Sequence, residues 1–176
     1  MTDSRDGQTY KTVKIGDQVW MAQNLNFETD SSFCYNDEDS NCAKYGRLYK
    51  WAAAMTACPS DWHLPTEAEF ETLFTAVGGK SIAGQKLKST TGWTAYSGII
   101  NEDAFAFSAL PAGYWNNGGN YRDEGGSASF WSSTEINSDL AYYMGLCCDD
   151  DYAYLTDFFK NSGFSVRCIQ DYSVDP

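Results

Sequence analysis

One local signal restricts the fold of this chain more than any other. Thr66-Glu67-Ala68-Glu69 is a capping box, in which the threonine hydroxyl accepts from the glutamate amide while the glutamate side chain reaches back. Phe70, Leu73, Phe74 and Val77 follow at helical spacing, and Gly78-Gly79 supplies the stop. A second run, Leu48, Trp51, Ala52 and Met55, repeats one apolar face and closes at Pro59. These two helices stand between stretches of another texture. Upstream, Tyr10, Val13 and Ile15 lead to Gly16-Asp17 and then Gln18-Val19-Trp20, a two-residue hairpin signal. Downstream of Gly79 the chain breaks into short runs divided by Gly, Asn and Ser. Residues 105–110 read as a strand ended by Pro111, and 116–120 and 125–126 as loops. Residues 130–134, 141–146, 152–156 and 164–169 read as strands of one antiparallel sheet. A hairpin, two helices and then many short strands predict an α+β fold, with the helices packed to one side of short antiparallel sheets and long loops between. The 176 residues fit a single domain spanning 1–176, with no internal repeat or linker.

Charge narrows the function classes. A net charge of -12 argues against nucleic acid and against an anionic membrane surface, because both need clustered Lys and Arg. It suits a cationic ligand or calcium, although a solvated acidic surface is the plainer reading. No apolar run approaches the roughly 20 residues that span a bilayer, so direct membrane insertion is not expected. The opening Met1-Thr2-Asp3-Ser4-Arg5-Asp6 has no apolar signal core, which implies either an intracellular protein or a trimmed leader. The six cysteines allow 15 pairings, and with His63 the only histidine they form no zinc pattern. An even cysteine count favours an oxidising, extracytoplasmic setting. Residues 24–44 are polar and irregular, and a short Cys34–Cys42 disulfide would offset their scarcity of apolar contacts.

The segment 136–162 differs from everything around it. It holds Cys147-Cys148, Asp149-Asp150-Asp151, Phe158-Phe159 and four tyrosines, between the scaffold-like Phe130-Trp131-Ser132-Ser133-Thr134-Glu135 and Gly163-Phe164-Ser165-Val166-Arg167-Cys168. Strand alternation would bury Ala153 and Leu155 and turn Tyr152, Tyr154 and Thr156 outward. Tyr142 and Tyr143 join them as rigid amphipathic contact residues. Phe158 and Phe159 cannot both face inward in an extended segment, which leaves one exposed anchor. Three adjacent aspartates converge poorly on one ion, so calcium is the single cofactor left open and a solvated or cation-attracting tip is preferred. A bond between Cys147 and Cys148 would be strained, so both are read as free thiols. No Ser-His or Cys-His arrangement is compelling, and neither Gly118-Gly119 nor Gly125-Gly126 has the following lysine and helix of a phosphate cradle. No enzyme is expected.

The motifs Asp3-Ser4-Arg5-Asp6-Gly7-Gln8-Thr9-Tyr10-Lys11-Thr12-Val13-Lys14-Ile15-Gly16, Trp20-Met21-Ala22-Gln23-Asn24-Leu25-Asn26, Tyr45-Gly46-Arg47-Leu48-Tyr49, Cys58-Pro59 with Trp62-His63-Leu64-Pro65-Thr66, Leu110-Pro111-Ala112-Gly113 and the two anchors above carry a family resemblance. Nearly the whole chain resembles the Fibrobacter succinogenes major paralogous domain. That resemblance implies a C-type lectin-like fold related to the formylglycine-generating enzyme, in proteins that are mostly bacterial and secreted or lipid-anchored. It implies that Cys58 pairs with Cys168 and Cys34 with Cys42, and that His63 is a buried, hydrogen-bonded scaffold residue. The enzyme's reactive cysteine pair is not recognisable here, so its oxidase chemistry is the least favoured reading.

The WSST…SVRC frame also resembles the variable proteins of diversity-generating retroelements. Their adenine-directed mutation of asparagine codons never yields Lys, Glu, Gln, Met or Trp, and residues 145–159 contain none of the five. The resemblance implies a non-enzymatic, receptor- or adhesin-type module in which 137–159 is the variable segment. Its contact residues would be Asn137, Asp139, Leu140, Tyr142, Tyr143, Gly145, Cys147, Cys148, Asp149, Asp150, Asp151, Tyr152, Tyr154, Thr156, Asp157, Phe158 and Phe159. The expected partner is a protein or glycan on another cell or surface, met by a monomer at the cell surface, outside the cell or on a phage virion. The alternative is an invariant structural or adhesive domain of the same family.

Overall fold

The hairpin forms as β1 (Thr12–Ile15) and β2 (Gln18–Met21), with Ile15 opposite Gln18 and Gly16 at φ +60°. The structure, a computed structural model, describes residues 1–172. After β2 come β3 (Ser32–Phe33), a 3-10 turn (Tyr35–Asp37), α1 (Asp39–Tyr45), β4 (Leu48–Lys50), α2 (Trp51–Ala57) and β5 (Trp62–His63). Then follow α3 (Glu67–Ala76), α4 (Lys80–Leu87), β6 (Tyr114–Trp115) and β7 (Tyr121–Arg122). The C-terminal part is β8 (Ser127–Glu135), β9 (Leu140–Cys147), β10 (Ala153–Phe159), β11 (Gly163–Phe164) and β12 (Ile169–Gln170). The strands make three sheets, ordered β1-β2-β12-β5, β10-β9-β8 and β3-β4-β11-β6-β7. Every pairing between these strands is antiparallel, so the α+β expectation holds.

The capping box is present at α3, with Glu69 donating its amide to Thr66 Oγ1 at 3.2 Å and Thr66 donating its amide to Glu69 Oε2 at 2.8 Å. Phe70, Leu73, Phe74 and Val77 are buried, and the Gly79 amide closes the helix on the Phe74 carbonyl. Other expectations need correcting. The described residues hold four α-helices, not two. α1 lies inside the loop read as irregular, tied by Cys34–Cys42. α4 follows the stop at Gly78-Gly79, where only broken runs were expected. The expected apolar face of the earlier helix is also displaced. Leu48 belongs to β4, Met55 is 42 % exposed, and α2 buries Ala54 and Ala57 instead. Residues 164–169 do not join β8–β10. They divide between the other two sheets, leaving only a bridge from Ser165 to Phe130.

Residues 105–110 form a bend where a strand was expected, and a buried guanidinium explains it. Arg167 is fully buried; its Nε donates to Asn24 Oδ1 at 2.6 Å, its Nη1 to the carbonyls of Met21 and Phe107, and its Nη2 to that of Ser108. Turning two neighbouring carbonyls onto one cation is incompatible with strand alternation, and Ala106 and Ser108 take φ of 55° and 54°. Asp103 holds the bend by accepting from the Ser108 amide and hydroxyl. Burial draws the Arg167 pKa down to about 9, still far above neutrality. The Phe107 and Phe130 rings flank the cation at 4.7 and 5.5 Å.

The β8–β10 sheet separates two cores. On one side Phe130, Met144, Leu146 and Ala153 meet Phe70 and Phe74 of α3, Ala83 and Leu87 of α4, and Trp20. On the other, Trp131 and Ala141 meet Tyr49, Phe164, Val166 and Cys168. Cys58–Cys168 forms as expected, with Cα atoms 5.9 Å apart. His63 is half-buried, not buried, and sits between Asp171 Oδ1 at 2.5 Å and Glu69 Oε1 at 2.8 Å.

Candidate functional site

Where the second core stops, its side of the β8–β10 sheet opens into a cleft of about 310 Å³. Residues paired across an antiparallel ladder share a face, so Ser129, Gly145 and Tyr154 stand together, as do Trp131, Tyr143 and Thr156. Ser127, Ser129, Tyr143, Gly145, Cys147, Tyr154, Thr156 and Phe158 line it from the sheet, with Tyr154 and Thr156 exposed. Two elements outside the sheet complete the walls: Tyr114 of β6 and Asp123 after β7. Phe164 is the hub, with ring centroids 4.8 Å from Tyr143, 5.5 Å from Phe158 and 5.7 Å from Tyr114. Gly145 keeps the cleft open, since a Cβ there would come within 3.0 Å of the Tyr143 ring.

The expected contact residues do not form one continuous patch. Tyr143, Gly145, Cys147, Tyr154, Thr156 and Phe158 line the cleft. Tyr152 adjoins it, its ring 5.0 Å from Tyr154. Leu140, Tyr142, Asp157 and Phe159 sit on the opposite face, because strand alternation sends successive side chains to opposite sides. Phe159 is 47 % exposed there and Phe158 half-buried, so the pair divides. Asn137 and Asp139 occupy the β8–β9 turn, where Asn137 Oδ1 accepts from the Asp139 and Leu140 amides. Cys148, Asp149, Asp150 and Asp151 occupy the β9–β10 turn. Tyr114, Asp123, Ser127, Ser129 and Phe164 were missed, because residues so distant in sequence share no local pattern.

Beside the side-chain caps of Asn137 and Asp150, further contacts hold both turns through their backbone. Lys88, fully buried, donates its ammonium to the carbonyls of Cys147 at 2.9 Å and Asp150 at 2.7 Å. The Gln85 amide reaches the Asp151 carbonyl, and the Cys148 amide reaches that of Gly126. Gly84 of α4 lies against the same turn, where a Cβ would come within 2.7 Å of the Asp151 carbonyl. At the other turn Lys160 donates its ammonium to the Asn137 carbonyl and its amide to that of Asp139.

Tyr154 donates its phenol to Asp150 Oδ2, which pushes the phenol pKa up to about 12 and lowers that of the carboxyl. Burial, reinforced by Asp149 and Asp150, pushes the Cys147 thiol up, so it stays protonated at neutral pH. Cys147 and Cys148 are both free, as expected. Among the described residues no group of three or more His, Cys, Asp or Glu is placed to hold a metal ion. Both Asp150 oxygens accept hydrogen bonds, one from the Tyr152 amide and one from the Tyr154 phenol.

Residues 13–170 match the model of the Fibrobacter succinogenes major domain. The chain belongs to that family. The matched span runs from Val13 in β1 to the end of β12 and takes in both lysine-held turns and the cleft, while most of the opening Asp3–Gly16 motif precedes it. No curated protein and no solved structure matches the chain. The two disulfides of this family domain fit an oxidising setting. Among the described residues no helix is long and apolar enough to cross a membrane.

Proposed function

We propose that this is a C-type lectin-like, non-enzymatic ligand-binding domain whose β8–β10 cleft is varied by a diversity-generating retroelement. One observation carries the reading: the hairpin turns are gripped through their main-chain carbonyls, while Tyr152, Tyr154 and Thr156 beside the cleft are exposed. Lys88, Gln85, Gly84 and Lys160 all act on backbone that any residue supplies. A site held in this way keeps its shape while its side chains change. The lectin-like assignment is supported by the pairing of N-terminal β2 with C-terminal β12, which brings the two ends of the chain together. A protein or glycan outside the cell is the proposed partner, met at the cell surface or on a virion.

Strand alternation makes the reading specific. Tyr143, Gly145, Cys147, Tyr154, Thr156 and Phe158 face the cleft, whereas Met144, Leu146 and Ala153 are buried against α3 and α4. Sequencing the DNA around the gene tests it. The expected result is a reverse-transcriptase gene beside a template copy with asparagine codons at the cleft positions and unaltered codons at 144, 146 and 153. A locus without template or reverse transcriptase would overturn diversification and leave an invariant adhesive domain.

A further inference from the structure

We infer that the cleft receives an organic cation, the guanidinium or ammonium of an arginine or lysine side chain on a basic protein segment. This inference rests on the binding role just proposed and names the chemistry of its ligand. Tyr114, Tyr143, Tyr154, Phe158 and Phe164 line the cleft, and the one charged side chain among its walls is the carboxylate of Asp123. Aromatic faces present negative quadrupole potential and attract a cation most strongly where water is thinned. Asp150 adds a second negative group at the mouth, hydrogen-bonded to Tyr154.

Among the described residues no cation lines the cleft. Lys88 spends its ammonium on the carbonyls of Cys147 and Asp150, and Arg122 is exposed on β7 and is not among the walls. Ser127 Oγ is buried at the cleft with no hydrogen-bond partner, an acceptor free for an incoming N–H. About 310 Å³ is room for one long side chain and part of its neighbour, not for a folded surface. The chain's net charge of -12 would draw a basic segment toward the cleft and repel an acidic one.

The test uses the whole chain and a matched pair of probes, Nα-acetyl-arginine amide and its neutral isostere Nα-acetyl-citrulline amide, titrated while backbone amide NMR shifts are followed. The expected result is saturable shifts at Gly145, Tyr154 and Thr156 for the arginine probe, at least tenfold weaker binding of the citrulline probe, and about fivefold weaker arginine binding in Asp123→Asn. Thr156→Trp, at an exposed strand position, should abolish the shifts while leaving the thermal midpoint within a few degrees. Equal affinity for the two probes would overturn the cation and leave a binding cleft. If neither probe shifts these amides, the cation is again overturned, and screening a displayed-peptide library and a glycan array against the wild type and Thr156→Trp decides the wider reading. Cleft-dependent binders that lack Lys and Arg would uphold binding without the cation; no cleft-dependent binder at all would overturn both.

Discussion

The environment of Arg167 and the β9–β10 turn around Lys88 are opposite solutions to one problem. Each places a buried cation among backbone carbonyls. Around Arg167 the neighbours are specified by side chain as well: Asn24 supplies an amide oxygen, Asp103 fixes the bend, and Phe107 and Phe130 flank the guanidinium. Around Lys88 the ammonium meets only the main chain of Cys147 and Asp150, and of the two side chains only that of Asp150 makes hydrogen bonds, to the Tyr152 amide and the Tyr154 phenol. The first arrangement fixes sequence; the second fixes shape and leaves sequence free. A domain built from both can keep one fold while presenting different surfaces.

The sharpest way to break that comparison is Arg167→Ala. It leaves Asn24 Oδ1 and three carbonyls without their donor, and it is expected to cost more than about 4 kcal/mol, each stranded buried group costing about 1–3. Urea unfolding measures it, and a loss below about 1 kcal/mol would mean that the frame is not specified there. Next comes Cys58→Ser with Cys168→Ser. Opening the 110-residue loop should lower stability by about 4–5 kcal/mol, against about 2–3 for the 8-residue Cys34–Cys42 loop. Equal losses would point to strain or local packing as the source.

Lys88→Met should cost about 2 kcal/mol and speed hydrogen exchange at the Cys148 and Tyr152 amides, because the turn loses its internal donor. His63 contributes less. Burial pulls its pKa down, but hydrogen bonds to Asp171 and Glu69 outweigh this and raise it above 6.5. A raised folded-state pKa means that the contribution is complete below pH 6.5 and disappears as pH climbs through the folded value. Solvent screening keeps it under about 1 kcal/mol. Unfolding midpoints at pH 5.5 and 8 should differ in the native chain and converge in His63→Gln. Smallest of all, Asp149→Ser, Tyr152→Ser and Thr156→Asn should each move stability by no more than about 0.5 kcal/mol. A larger loss from any of them would show that the turn or the cleft rim depends on side-chain identity, and would count against a site built to vary.

How far the sequence could be read depended on the range of the interaction. The α3 capping box and the Gly16 hairpin are satisfied within four residues, and both stand as expected. α4 was hidden because Gly84 interrupts its helical pattern, and that glycine is there for the backbone of a turn 67 residues away in the chain. Residues 105–110 have strand composition, yet Arg167, about 60 residues later, needs two of their carbonyls on one side. The half of the cleft supplied by Tyr143, Gly145, Cys147, Tyr154, Thr156 and Phe158 was legible as an odd stretch of contact-type residues. The half supplied by Tyr114, Asp123 and Phe164 was not.

By itself the sequence determined the α+β class, the helix beginning at Glu67, the hairpin at Gly16 and the family, because these rest on local hydrogen bonds and on motifs read in order. The tertiary structure alone decided which face of β9 and β10 is buried against α3 and α4 and which is open. Alternation divides a strand into two faces, but only the elements packed against it settle which of the two meets solvent.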